Sequence, residues 1–458
     1  MAFIDILKNL PEVKGPTEKK LDFNVKLKWT LIILGAFFVM SNIALYGADP
    51  GFLEQFEFLA VIMGTSFGSI ISLGIGPIVM ASIILQLLVG AQILEIDTST
   101  PEGKRFFQGL QKLLVFFFIL FEAIIYVVMG GIRAAPGLQY IVIIQLILGG
   151  LVILFMDEVC HKWGFGSGVS LFIAAGVGWR LIGASFAFLG TEGGFQPSGA
   201  VISLIYNLIN SDIAGAQTAI MLSLAAIIST VVLFLIVVWA QSLKIEIPLS
   251  YDRLRGYSMR WPLQFFYASV IPVILTAALI ANFQLFGGLL QNWLGRPTFL
   301  GNFVNGQPVS GLLYWVSSTN IVERIITGSW EISLLFQTFG HIVFYMFFAA
   351  LFSVFWVKTS GMDAGAQANN ILKSGLQIPG FRKDKRILES ILARYVMPLT
   401  IMGGLAIGLL AASADVLGAL VGGTSLLLGI MIVFQFYQNI AQQHAMDMNP
   451  ALKKMMGV

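Results

Sequence analysis

Groups that could carry chemistry are sparse along the apolar runs of this chain. Glu122 is the only acid near the middle of one. A carboxylate inside a membrane is costly and as a rule functional, yet one alone is thin for coupling protons or sodium. His161, His341 and His444 lie far apart with no partner at zinc-like spacing. His341 reads as a hydrogen-bonded packing residue and Arg180 as a side chain snorkelling to the interface. Gln86 and Asn282 are neutral and suit bridges between helices, at roughly 1 kcal/mol each. Gly103-Lys104 lacks the earlier glycine and the following Ser/Thr of a phosphate loop. The GFGSG at 164–168 has no soluble strand before it and an apolar run after it, and Gly404–Gly408 has helix-packing spacing. No catalytic constellation, cofactor site or metal site is legible, so the chain reads as a non-enzyme.

Aliphatic side chains are the other candidates. Ile75 and Val79 stand four apart, as do Val169 and Ile173, so each pair stacks on one helix face. Both pairs follow Gly-rich breaks. Ile274 follows Pro272, and Leu428 follows a Gly-Gly-Thr-Ser entry. If two helical halves faced each other, these six would form an apolar collar; the bland alternative is ordinary lining of membrane helices.

The elements that must position them are membrane spans. Apolar residues make up 57% of the 458 and charged ones 11%, against about 25% charged in soluble domains. Runs of about 20 apolar residues fall near 29–48, 74–94, 110–131, 138–156, 169–190, 217–240, 265–286, 334–357, 396–413 and 422–440. Ten is the expected count, with eight and eleven as neighbours. The longest connections are about 35–45 residues, too short for a soluble domain. The single Cys160 excludes an internal disulfide. The first run is as long as a full span and follows six lysines, and Tyr46 and Ala48 make a poor cleavage site, so no cleavable signal is expected. Phe3, Ile6, Leu7 and Leu10 form one stripe of an expected interfacial helix.

With ten spans, all but four of the 27 Lys and Arg fall on the side of the termini, the exceptions being Arg133, Arg180, Arg296 and Arg324. Positive charge marks the cytoplasmic face, so both ends are expected there. Ten spans divide into two sets of five, and the odd number inverts the second set. The second span of each set carries a proline (Pro77, Pro272), and the fifth opens with small residues in GFGSGVSLFI (164–173) and VGGTSLLLGI (421–430). Paired interrupted spans point to a central site between inverted halves; packing kinks are the bland alternative. Residues 56–94 are too long for one span and too interrupted for two, so a half-helix over 56–66 dipping in from outside is expected, with protein around its backbone. The 241–264 and 358–395 loops are the largest cytoplasmic ones. The second has a basic tip, GFRKDKR at 380–386, suited to phosphates, to anionic lipid or to setting topology. A secondary transporter and a membrane enzyme remain competing classes at this point.

LGIGPIV with QLLVG, FQGLQKLL, GSGVSLFIAAGV, KIEIPL, IPVIL with ANFQL, FWVKTSG, GFRK, and GAL with GGTSLLL occur in this order. Together they make the chain resemble the SecY family, the central subunit of the protein-translocation channel, in its archaeal, eukaryote-like form. The resemblance implies an all-α membrane protein with ten spans in two inverted five-helix halves around a pore, closed by a re-entrant plug half-helix. It implies that the pore passes unfolded secretory polypeptide and releases transmembrane segments sideways into lipid. The implied pore ring is Ile75, Val79, Val169, Ile173, Ile274 and Leu428. The implied plug is Phe56, Glu57, Phe58, Leu59, Ala60, Val61, Ile62, Met63, Gly64, Thr65, Ser66 and Phe67. A lateral gate of the second and third spans against the seventh and eighth would include Met80, Gln86, Glu122 and Asn282, with Met80 where the family often has a hydroxyl. Arg253, Arg255, Arg382 and Lys383 match the ribosome-docking loops.

The implied organisation is a cytoplasmic segment 1–28, a half over 29–190, an external hinge loop 191–216, a half over 217–440 and a cytoplasmic tail 441–458. Implied partners are SecE/gamma-type and beta-type single-span subunits, the ribosome with its nascent chain, rRNA contacted through the basic loops, client signal peptides and transmembrane segments, and the bilayer. The implied location is the cytoplasmic membrane. The physics agrees: a channel for every side-chain type must grip none, and a narrow apolar waist resists wetting when idle.

Overall fold

In a computed structural model, residues 10–17, 21–49, 51, 53, 55, 59–60, 62–96, 100–188, 198–210, 213–251, 258–268, 270–373, 376–377 and 384–448 are described. The expected interfacial helix therefore lies, but for Leu10, outside the described residues.

Each expected span is met by a helix. In the first half these are α1 (Phe23–Ser41), α2 (Gly76–Gly90), α3 (Pro101–Val128), α4 (Gln139–Trp163) and α5 (Gly168–Phe186). A short α6 (Ala200–Asn210) leads into the second half. There α7 (Ile213–Ser242) and α8 (Ile271–Leu294) are followed by the short α9 (Leu312–Val316) and α10 (Ile321–Ile326). Then come α11 (Ile332–Thr359), the short α12 (Ala364–Lys373), α13 (Lys385–Leu417) and α14 (Gly423–Met448). Among the described residues, nine helices are long and apolar enough to cross a membrane. The tenth expected span corresponds to α2, whose 15 residues extend only about 22 Å, short of the ~30 Å hydrocarbon core.

The helix packing repeats between the halves. In the first, α1 packs on α4 and α5, α2 on α3, α3 on α4, and α4 on α5. In the second, α7 packs on α13 and α14, α8 on α11, α11 on α13, and α13 on α14. Reading each set as spans one to five, these five pairs recur, and in the second set α8 also touches α13 and α14. The halves meet where α2 packs on α8 and α11, and where α5 packs on α14. One continuous apolar core runs through both, and α8 is the most deeply buried of the nine helices. Large apolar side chains such as Leu31, Ile144, Ile228 and Phe347 face outward, as a lipid-facing surface requires.

Three stretches expected as loops carry structure. The 241–264 loop is a hairpin of β3 (Lys244–Tyr251) and β4 (Ser258–Gln264), paired Lys244↔Gln264 through Ser250↔Ser258. Its KIEIPL alternation has the strand period of two. The 358–395 loop contributes β7 (Leu376–Gln377), pairing Ser250↔Gln377 and Tyr251↔Leu376, and α13 begins within it at Lys385. The 191–216 connection holds α6, which packs on α5 and α7. Elsewhere, β1 (Ala48–Asp49) pairs with β2 (Arg133–Ala134), and β5 (Asn302–Val304) with β6 (Gln307–Ser310).

Candidate functional site

The two proline-bearing helices start alike. Pro77 and Pro272 each lie in the first turn, where proline's missing N–H costs nothing. Val79 and Ile274 stand two residues beyond them. The Val79 amide donates to the Ile75 carbonyl at 3.0 Å, and the Ile274 amide to the Val270 carbonyl at 3.2 Å. Ile75, Ile173 and Leu428 have no exposed surface, Val79 and Ile274 are 4% exposed, and Val169 is half-buried against the same core. None of the six is among the exposed apolar side chains.

Residues 59, 60 and 62–74 pack onto this group. Leu59, Ala60 and Met63 are buried. The Ile75 amide donates to the Met63 carbonyl at 2.9 Å, and the Thr65 hydroxyl to the Ile71 carbonyl at 2.6 Å. A Cβ on Gly64 would touch the Ile75 and Phe172 side chains, both at 3.4 Å. Among the described residues of the expected half-helix, the Met63 amide donates to the Leu59 carbonyl at 3.0 Å; Gly64, and beyond the segment Gly68 and Gly74, have φ of +52, +85 and +54°, which right-handed helix excludes. Phe56, Glu57, Phe58 and Val61 lie outside the described residues.

The intramembrane carboxylate meets the same spot. Glu122 on α3 is fully buried, and neither oxygen has a hydrogen-bond partner among the described residues. A Cβ on Gly76 would lie 3.0 Å from Glu122 Oε2 and 2.8 Å from Met63 Cε. On α8, Asn282 donates to the Ala278 carbonyl at 2.9 Å, while its Oδ1 is unpartnered among the described residues, like Gln86 Oε1 and Gln284 Oε1. Met80 is half-buried against the core. Two contacts join the halves on the same helices. A Cβ on Gly90 of α2 would strike the Phe355 ring of α11 at 2.3 Å, and Asn292 of α8 donates to the Met129 carbonyl after α3 at 2.8 Å.

A cavity of about 570 Å³ is walled by Leu59, Ile62, Arg180, Gln284, His341 and Asp415 among others. His341 Nδ1 donates to the Val316 carbonyl at 2.6 Å, and its Nε2 lies 3.2 Å from Asp415 Oδ2, so it is a hydrogen-bonded packing residue as expected.

At the C-terminal end of α4, Lys162 donates to Glu12 and Val13, the Val13 amide donates to Glu158 at 3.0 Å, and the Trp163 indole donates to the Lys14 carbonyl at 3.0 Å. The Lys162 hydrogen bond holds the Glu12 carboxyl below its ordinary range. Arg253, Arg255, Arg382 and Lys383 lie outside the described residues. β3, which precedes the first pair, and β7, which precedes the second, pair antiparallel in one sheet.

A family model described as SecY matches residues 69–437. The chain belongs to the SecY family. A second model, the plug domain of Sec61p, matches residues 36–68, directly ahead of it. The SecY subunit of the protein translocase of Methanothermobacter thermautotrophicus is 43% identical over 98% of this chain and 97% of its own length. That of Methanocaldococcus jannaschii is 38% identical, covering 99% of both. A solved structure described as a protein-conducting channel aligns with TM-score 0.83 at 36% identity, over 98% of this chain and 99% of the other. Sec61 in the canine ribosome-channel complex from the endoplasmic reticulum aligns with TM-score 0.80 at 35% identity, over 98% and 99%. The SecY family is one of channel subunits of a translocase, and its members are not enzymes.

Proposed function

We propose that this chain is the channel-forming subunit of a protein translocase in the cytoplasmic membrane. It passes unfolded secretory polypeptide through its centre and releases transmembrane segments into lipid through the seam of α2 and α3 against α8 and α11. The observation that carries this reading is the group of six inward aliphatics at repeat-related helix starts, with a sealing segment hydrogen-bonded onto the first of them. Ile75, Val79, Val169, Ile173, Ile274 and Leu428 act as the pore ring, a waist with no charge or hydrogen bond to offer a passing side chain. Residues 56–67 act as the plug. Glu122, Asn282, Gln86 and Met80 line the lateral gate. Polar atoms buried there without partners each cost about 1–3 kcal/mol, which favours opening that seam over others. An apolar segment then leaves for lipid by its own transfer free energy.

Both termini face the cytoplasm, on the strength of the Lys/Arg asymmetry. The basic tips around Arg253, Arg255, Arg382 and Lys383 dock the ribosome through rRNA phosphates, which their common origin on one sheet and the canine relative's ribosome complex support. Single-span companions of SecE/gamma and beta type complete the assembly, and signal peptides enter at the gate. The test is reconstitution with those companions in proteoliposomes, fed with stalled ribosome–nascent chains. A secretory client should become protease-protected, and a client with a transmembrane segment carbonate-resistant. Exposure of both clients to protease would refute the reading.

A further inference from the structure

Two of the helices that carry ring residues begin with the same device, one in each half. α5 opens at Gly168, where a Cβ would lie 2.6 Å from the Asp157 Cα on α4. Asp157 Oδ1 accepts the Val169 amide at 3.0 Å. α14 opens at Gly423, where a Cβ would lie 1.8 Å from the Ala414 carbonyl carbon on α13. Asp415 Oδ1 accepts the Thr424 amide at 2.6 Å, and its Oδ2 accepts the Thr424 hydroxyl. The repeat aligns Gly168-Val169-Ser170-Leu171 with Gly423-Thr424-Ser425-Leu426 and so sets Ile173 against Leu428. In both halves, then, the fourth span's carboxylate grips the second amide of the fifth span's helix. A histidine stands beside each carboxylate: His161 Nε2 is 3.9 Å from Asp157, and His341 Nε2 is 3.2 Å from Asp415.

Ordinary capping does not need this arrangement. α5 already has its own cap, Ser167, which accepts the Ser170 amide at 3.4 Å. A carboxylate from a neighbouring helix adds a tie between helices, fixing how far α5 slides along α4 and α14 along α13. The ring residues Ile173 and Leu428 lie five positions past the gripping glycines, about 7.5 Å of rigid helix. The two helices also touch each other: a Cβ on Gly429 would strike Val177 at 2.7 Å. A slip at either grip therefore moves ring residues from both halves.

We propose that Asp157 and Asp415 are positioning residues for the pore ring, a duplicated pair of carboxylate ties that sets its resting aperture. The inference rests on the ring assignment above. Its test uses the full channel with its companion subunits in planar bilayers, reading resting single-channel conductance and the largest ion admitted. Asp157→Ala and Asp415→Ala are each expected to admit larger ions, and the double variant more than either. Asp157→Asn and Asp415→Asn keep the accepting oxygen and should stay as tight as the unaltered channel. Loss of stability alone would lower the number of channels without changing the ion admitted by each. Should an alanine variant fail to assemble, Asp→Ser, which stops short of the amide, takes its place with the same expectation. Alanine or serine variants as tight as the unaltered channel overturn the proposal, as do asparagine variants as leaky as alanine. Photo-crosslinking of Ile173 to a stalled client, in the unaltered channel, checks the ring separately: lost cross-links defeat the ring assignment, whereas intact ones with tight variants defeat only the ties.

Discussion

Gly74→Ala strikes the joint between the sealing segment and the ring. Gly74 has φ +54°, where an L side chain costs about 1–2 kcal/mol. Its new Cβ would stand 2.3 Å from the Met63 carbonyl oxygen and 2.7 Å from Thr65 Cβ, so residues 63–65 must retreat. The Met63 carbonyl then loses the Ile75 amide it accepts at 2.9 Å, a net loss of about 1 kcal/mol. Both penalties fall on the seated arrangement, because a segment that has left can relax its backbone. Together they total about 2–3 kcal/mol, or roughly 30- to 150-fold in the ratio of seated to unseated channels. The assay is resting conductance of the purified complex in planar bilayers, where the variant should leak. Gly137→Ala is the control: φ there is +85° with nothing within 4 Å of a Cβ, so it carries backbone strain without the clash and should stay tight. A Gly74→Ala channel as tight as the unaltered one, or a Gly137→Ala channel equally leaky, would refute the seating argument.

Ile173→Asn places an amide in the waist and should let it wet, raising resting ion conductance; Ile144→Asn, at a side chain 55% exposed toward lipid, should leave conductance unchanged. Arg382→Glu with Lys383→Glu should weaken ribosome binding and, with two phosphate contacts gone, flatten the slope of log affinity against log salt by about 2, as measured by co-sedimentation across a salt series. The Glu12 tie has a pH signature. Its carboxyl lies below the ordinary range because of Lys162, so the tie is present above that range and is lost as pH falls through the depressed value. Fluorescence of Trp163, taken as the difference from Trp163→Phe, should report that loss on acidification and show it at neutral pH in Lys162→Gln.

The spans were legible because apolar runs leave one interpretation, and each of the ten meets a helix. Their ends were less so: α13 starts at Lys385 rather than near 396, since its first turns are polar and lie outside the apolar run. KIEIPL has the alternation of a strand, but it stands among basic residues whose pattern is that of a charged loop. Within the half-helix expected over 56–66, Gly64 has a φ of +52°, a left-handed backbone that no single-sequence pattern reveals. The repeat was visible in Pro77 and Pro272 and in the two Gly-rich entries. Its packing consequence, the ties of Asp157 and Asp415, was not, because each joins residues of different helices and neither carboxylate sits in a motif.

The most direct measurement places a photo-crosslinker in turn at Ile75, Val79, Val169, Ile173, Ile274 and Leu428, with lipid-facing Ile144 and Phe347 as controls, in channels engaged by a stalled secretory chain. Cross-links to the client from all six waist positions and from neither control are the predicted result. Client labelling that fails at the waist, or is as strong from Ile144 and Phe347, would mean that polypeptide does not travel between the two bundles at all.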